Sequence, residues 1–70
     1  MTYSSLIELA DYVEYHGKGM RFASGAARER DDHVLATNLN CQAEKLYEWA
    51  KDLREAADAF TKLFPDFRKS

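Results

Sequence analysis

One cysteine, one proline, three glycines and no long apolar run are what this 70-residue chain has little of, and each scarcity excludes something. The lone Cys41 rules out an intramolecular disulfide and any cysteine-based metal cluster, and it fits a reducing compartment. No window approaches the ~20 apolar residues of a membrane span. Met1-Thr2-Tyr3-Ser4-Ser5 carries no basic stretch ahead of an apolar one, and Glu8 soon interrupts, so no signal peptide is read and a cytoplasmic location is expected. An excess of basic charge is missing too: ten basic against twelve acidic side chains leave a net charge of −2. Affinity for a phosphate backbone comes largely from counterion release by such an excess, which disfavours non-specific nucleic-acid binding. A chain of this length builds one domain, residues 1–70, and has no room for a second core.

What is present is a folding composition, 46% hydrophobic and 31% charged, with few breakers. Apolar residues recur at three and four positions, which predicts an all-α chain. Ser5-Leu6-Ile7-Glu8 reads as a capping box opening a first helix over about 5–30. Its seam is Leu6, Val13, Met20, Ala27. A second seam, Leu39, Leu46, Leu53, Phe60, predicts a helix over about 33–64 that stops ahead of Pro65. Between the seams, Arg28-Glu29-Arg30-Asp31-Asp32-His33 is polar throughout, and Asp31 or Asp32 is the expected N-cap.

Folded back as an antiparallel hairpin turning at His33, the seams pair Leu6 with Phe60, Val13 with Leu53, Met20 with Leu46 and Ala27 with Leu39. The same register sets Ala10, Gly17 and Ser24 opposite Ala57, Ala50 and Ala43, small against small, which lets two helices approach closely. Gly17-Lys18-Gly19 allows an alternative, three helices with a break at 17–19, since each interior glycine costs about 1 kcal/mol relative to alanine. One hairpin buries too little to order the chain. Tyr12, Tyr15 and Phe22 on the first helix, with Leu35, Trp49 and Leu63 on the second, lie off the seams and call for a second interface. A homodimer forming a four-helix bundle is the simplest solution.

The candidate sites are few. His16 has no carboxylate or second histidine four positions on to complete a metal pair, and a ring packed half-buried is the expectation. Asp31-Asp32-His33 reads as capping and solvation, and the acidic run Glu48, Asp52, Glu55, Asp58 reads as a solvated helix face with Asp58–Lys62 support. Neither Cys41 nor Gly17-Lys18-Gly19 has the companions that nucleophilic or phosphate-binding chemistry needs. No enzyme, metal or cofactor is expected. Two binding readings remain. Aromatic anchors dominate protein interfaces, which nominates Tyr12, Tyr15, Phe22, Trp49, Phe64 and Phe67 for a protein partner. Lys18, Arg21, Arg28 and Arg30, with Phe22 for stacking, form the alternative, an RNA or DNA patch diluted by Glu29, Asp31 and Asp32. Phe64-Pro65-Asp66-Phe67 either stands exposed as a partner site or folds back over Tyr3 and Leu6.

In architecture the expected hairpin dimer resembles the Rop family of plasmid copy-number proteins, which bind RNA, although none of that family's RNA-contact pattern is present. The short chain with its Met-Thr-Tyr-Ser-Ser-Leu-Ile-Glu start and lone helical hairpin is similar to the small accessory proteins encoded in early regions of lambdoid phages. That resemblance implies a non-enzymatic regulatory protein, phage or mobile-element encoded, that modulates a host process.

Overall fold

Two long helices account for nearly all of the chain in a computed structural model that describes residues 1–69: α1, Tyr3–Glu29, and α2, Asp32-capped over His33–Leu63, followed by a short 3₁₀ segment, Pro65–Lys69. No strand occurs among the described residues. The helices pack against each other as an antiparallel hairpin whose Cα envelope measures 51 × 14 × 12 Å. Its radius of gyration, 15.7 Å, exceeds the roughly 11 Å of a compact domain of this length.

Helix α1 starts one turn earlier than Ser5-Glu8 suggests. Thr2 is the N-cap: its Oγ1 accepts from the Ser5 N–H at 3.0 Å, and the Thr2 N–H donates to Ser5 Oγ at 2.9 Å. The two hydroxyls close a capping box without a glutamate, and the added turn brings Tyr3 into the helix. The helix then runs through Gly17-Lys18-Gly19 without a break, so the three-helix alternative is not what forms. Gly17 is buried, and a Cβ placed there would lie 3.2 Å from Tyr47 Cε1 and 3.4 Å from the Ala43 carbonyl oxygen. The close approach of α2 accounts for a glycine at that position, and packing outweighs its propensity cost.

At the turn, the Asp31 N–H donates to the Arg28 carbonyl and the Asp32 N–H to the Ala27 carbonyl, at 3.0 and 2.9 Å. These are the two bonds of a Schellman motif, with Asp31 in the left-handed region at φ 62 where glycine is usual. Asp32 then caps α2, its Oδ1 accepting from the Leu35 N–H at 3.1 Å. The reversal is therefore complete by Asp32, ahead of His33, and this moves the register. Gly17 meets Ala43, and Ser24 Oγ donates to the Ala36 carbonyl at 2.8 Å. Both pairings lie one heptad nearer the turn than the Gly17–Ala50 and Ser24–Ala43 pairs expected from the seams. A slip of one heptad carries small residues onto small residues again, so the sequence pattern is equally satisfied by either register.

The resulting core is made of small side chains. Ala10, Gly17, Ser24 and Ala27 on α1 and Ala36, Ala43, Ala50 and Ala57 on α2 are its buried residues, and no large side chain is fully buried. At the open end α2 stops at Leu63, ahead of Pro65, and the 3₁₀ segment folds back. The Phe67 ring lies edge-on to Tyr3 at 5.9 Å and 5.4 Å from Phe60, with the Arg68 guanidinium 5.5 Å from the Tyr3 ring centre. The terminal aromatics thus tie the start of α1 to the end of α2.

Candidate functional site

Because both helices turn the alanine row inward, the remaining rows divide the hairpin into two flanks of different chemistry. On one flank lie Glu14, Arg21 and Arg28 of α1, seven apart, facing Asn40, Tyr47, Arg54 and Thr61 of α2. Arg54 spans the gap. It donates from Nη2 to Asp11 Oδ1 at 2.8 Å and from Nη1 to Glu14 Oε1 at 3.2 Å, and Lys18 Nζ lies 3.9 Å from the other Glu14 oxygen. The hydrogen bonds to Asp11 and then Glu14 raise the Arg54 pKa above its ordinary value, keeping the guanidinium charged. Arg21 sits over the Tyr47 ring at 5.1 Å. This flank is polar, solvated and internally paired.

The opposite flank is made of four rows: Leu6, Val13, Met20, Ala27 and Leu9, His16, Ala23 on α1; Leu39, Leu46, Leu53, Phe60 and Leu35, Gln42, Trp49, Ala56, Leu63 on α2. None of these side chains is charged. Three open grooves run along them, one of about 450 Å³ beside Met20, Ala23 and Leu39, one of about 250 Å³ under Trp49 and Leu46, and one of about 430 Å³ between Leu6, Ala56 and Phe60. Leu6, Val13, Met20, Leu39, Leu46 and Leu53 of the inner rows are half-buried by the hairpin itself, while Ala27 is buried in the core and Phe60 is exposed. The outer rows are exposed, Trp49 by 56%. Lys18 and Lys45 stand at the edges of the first two grooves. A largely apolar surface of this length is unusual on a chain that stays alone in water.

The nominated aromatics fall into three groups. Trp49 belongs to the apolar flank. Tyr12, Tyr15 and Phe22 stand on the outer side of α1, Phe22 83% exposed, with the His16 ring edge-on to Tyr12 at 4.5 Å and to Tyr15 at 6.1 Å. His16 is exposed, where a half-buried ring was expected. Phe64 is exposed against Phe60, while Phe67 is half-buried in the terminal clamp.

Three of the four nominated basic residues share the polar flank, where acidic and aromatic neighbours engage two of them, and the fourth lies off it. Lys18 and Arg21 are engaged by Glu14 and Tyr47 on the polar flank, Arg28 ends α1 on the same side, and Arg30 is the C-cap in phase with the apolar flank. Among the described residues no group of three histidine, cysteine or acidic side chains is placed to hold a metal ion, and no helix is long and apolar enough to cross a membrane. The division into flanks was open to sequence reasoning through the seven-residue rows. The Arg54 pairing was not, because Asp11 and Glu14 are 43 and 40 positions away.

Comparison of the chain with known protein families, with characterised proteins and with solved structures finds no match in any of the three.

Proposed function

We propose that this protein is a non-enzymatic interaction protein that works as a homodimer, two hairpins burying their apolar flanks against each other as a four-helix bundle and presenting Tyr12, Tyr15 and Phe22 to a protein partner. The uncharged flank carries this reading. Its rows repeat every seven residues on both helices, the spacing of a bundle seam, so a helical surface of the same period is what fits it.

Areas agree with the requirement. The hairpin exposes 5258 Å², against about 4,500 Å² for a compact monomer of its mass. The excess of about 750 Å² is close to the roughly 800 Å² that each partner contributes to a standard interface. A core of alanines also leaves the isolated hairpin short of buried apolar surface for a chain of this size. The phage-type regulatory role suggested by the chain's start and size is compatible with such a dimer, since it needs only a binding surface.

Sedimentation equilibrium over a wide concentration range, with helicity followed in parallel, tests the reading. The expected result is a dimer whose helix content falls as it dissociates. A stable helical monomer at all concentrations removes the dimer from the proposal. Tyr15→Ala and Phe22→Ala are expected to leave dimer and helicity intact while abolishing partner binding. If both variants retain every partner of the wild type, the outer aromatics are not the binding surface.

A further inference from the structure

The apolar flank is interrupted at one level only. His16 and Gln42 are the two polar residues in its four rows. Met20 borders both, lining one groove with His16 and the next with Gln42. The register that sets Gly17 against Ala43 places the two at one height on the hairpin. Both are exposed, and among the described residues neither side chain makes a hydrogen bond within the chain. Leu9, Val13, Leu46 and Trp49 lie on one side of this level, Ala23, Leu35 and Leu39 on the other.

Burying leucines needs no partner beyond apolar contact. An imidazole and an amide carry donors and acceptors that are costly to bury unmatched. We infer that a second copy docks with its own His16–Gln42 level in register with this one, turns at the same end, so that each His16 faces the partner's Gln42. This rests on the dimer proposed above and adds its direction. A two-fold axis along the hairpin brings α1 of each copy against α2 of the other and matches every level with itself. Leu9 then meets the partner's Trp49, and Val13 the partner's Leu46.

The reverse arrangement, with turns at opposite ends, does worse on both counts. The polar level lies at the midpoint of α1 and about a third of the way along α2, a few residues to the turn side of the hairpin's centre, so full overlap of reversed hairpins sets His16 and Gln42 against the Leu9–Trp49 level. Sliding the copies to bring the polar levels together leaves roughly 9 Å of each apolar flank uncovered, at a rise of 1.5 Å per residue. A single polar level specifying direction has the logic of a lone asparagine in a coiled-coil seam. Charge opposes it little: each of the adjacent turns carries Arg28 and Arg30 beside Glu29, Asp31 and Asp32, one negative charge in excess.

The test is a distance. A spin label at Glu29→Cys in a Cys41→Ser background, on the outer side of α1 next to the turn, is measured by pulsed dipolar spectroscopy in the dimer. The expected result is one short separation, within about two helix spacings plus the label arms. A separation approaching the 51 Å length of the hairpin overturns the direction while leaving the dimer standing. A monomer by sedimentation overturns the dimer itself. The His16→Leu/Gln42→Leu variant is expected to stay dimeric, with a Kd at least tenfold lower, and to acquire the long separation alongside the short one. A single short separation in that variant overturns the role given to the polar level.

Discussion

The two flanks of one hairpin differ as sharply as the surface and interior of a larger protein. Arg54 holds Asp11 and Glu14 across the polar flank, with Arg21 resting on Tyr47 beside it. Across the alanine core, less than a helix diameter away, sixteen positions carry no charge at all. Both flanks use the same backbone register, so the difference is entirely in side chains. It teaches that the alanine row decides how the helices meet, while the rows beside it decide what each side meets next. Ion pairs this exposed contribute little to stability. Their effect is to make the polar flank unsuitable for burial, which leaves the other side for the dimer proposed above.

The largest expected effect comes from erasing the difference. Leu46→Glu puts a carboxylate in the middle of the apolar flank, twice per dimer. Dissociation measured by sedimentation is expected to weaken more than about a hundredfold, on the order of 3 kcal/mol, because the charge is buried without a partner. Lys51→Glu, on the exposed outer side of the same helix, is the matched control and is expected to leave the dimer within about twofold. Equal losses from both would mean that α2 as a whole, and not the apolar flank, makes the interface.

A smaller effect separates the core row from its neighbours. Gly17→Leu drives a side chain into Tyr47 and the Ala43 carbonyl and is expected to lower unfolding stability by about 3 kcal/mol. A Cβ at Gly19, two residues on, would meet nothing within 4 Å. Gly19→Ala is therefore expected to raise stability by about 0.5 to 1 kcal/mol through helix propensity alone. Denaturant unfolding at fixed concentration reads both. If Gly19→Ala is destabilising, that position is covered in the assembled protein.

These pairs also show what the sequence could and could not carry. The two helices, the Asp32 cap, the stop before Pro65 and the small-against-small core all followed from spacing and cap chemistry. The register did not, because Ala36, Ala43, Ala50 and Ala57 repeat every seven residues and a slip of one heptad is invisible to that pattern. What chose between the registers is the turn: a Schellman closure at Asp31 completes the reversal before His33. Thr2 and Ser5 likewise displaced the Ser5–Glu8 box because two hydroxyls can cap each other, a pairing that the usual glutamate signature passes over. Continuity through Gly17 was a contest between propensity and packing that only the approach of Tyr47 and Ala43 decides.

The smallest predicted effect lies in the turn, which belongs to neither flank. Asp31 holds φ at 62, a conformation that costs a residue with a Cβ more than it costs glycine. Asp31→Gly is expected to relieve that cost and raise stability by about 0.5 kcal/mol, offset in part by the greater freedom of glycine in the unfolded chain. The urea midpoint is expected to rise with the slope unchanged, since the backbone hydrogen bonds to Ala27 and Arg28 do not depend on the side chain. A fall in the midpoint would show that the Asp31 carboxylate itself stabilises the turn.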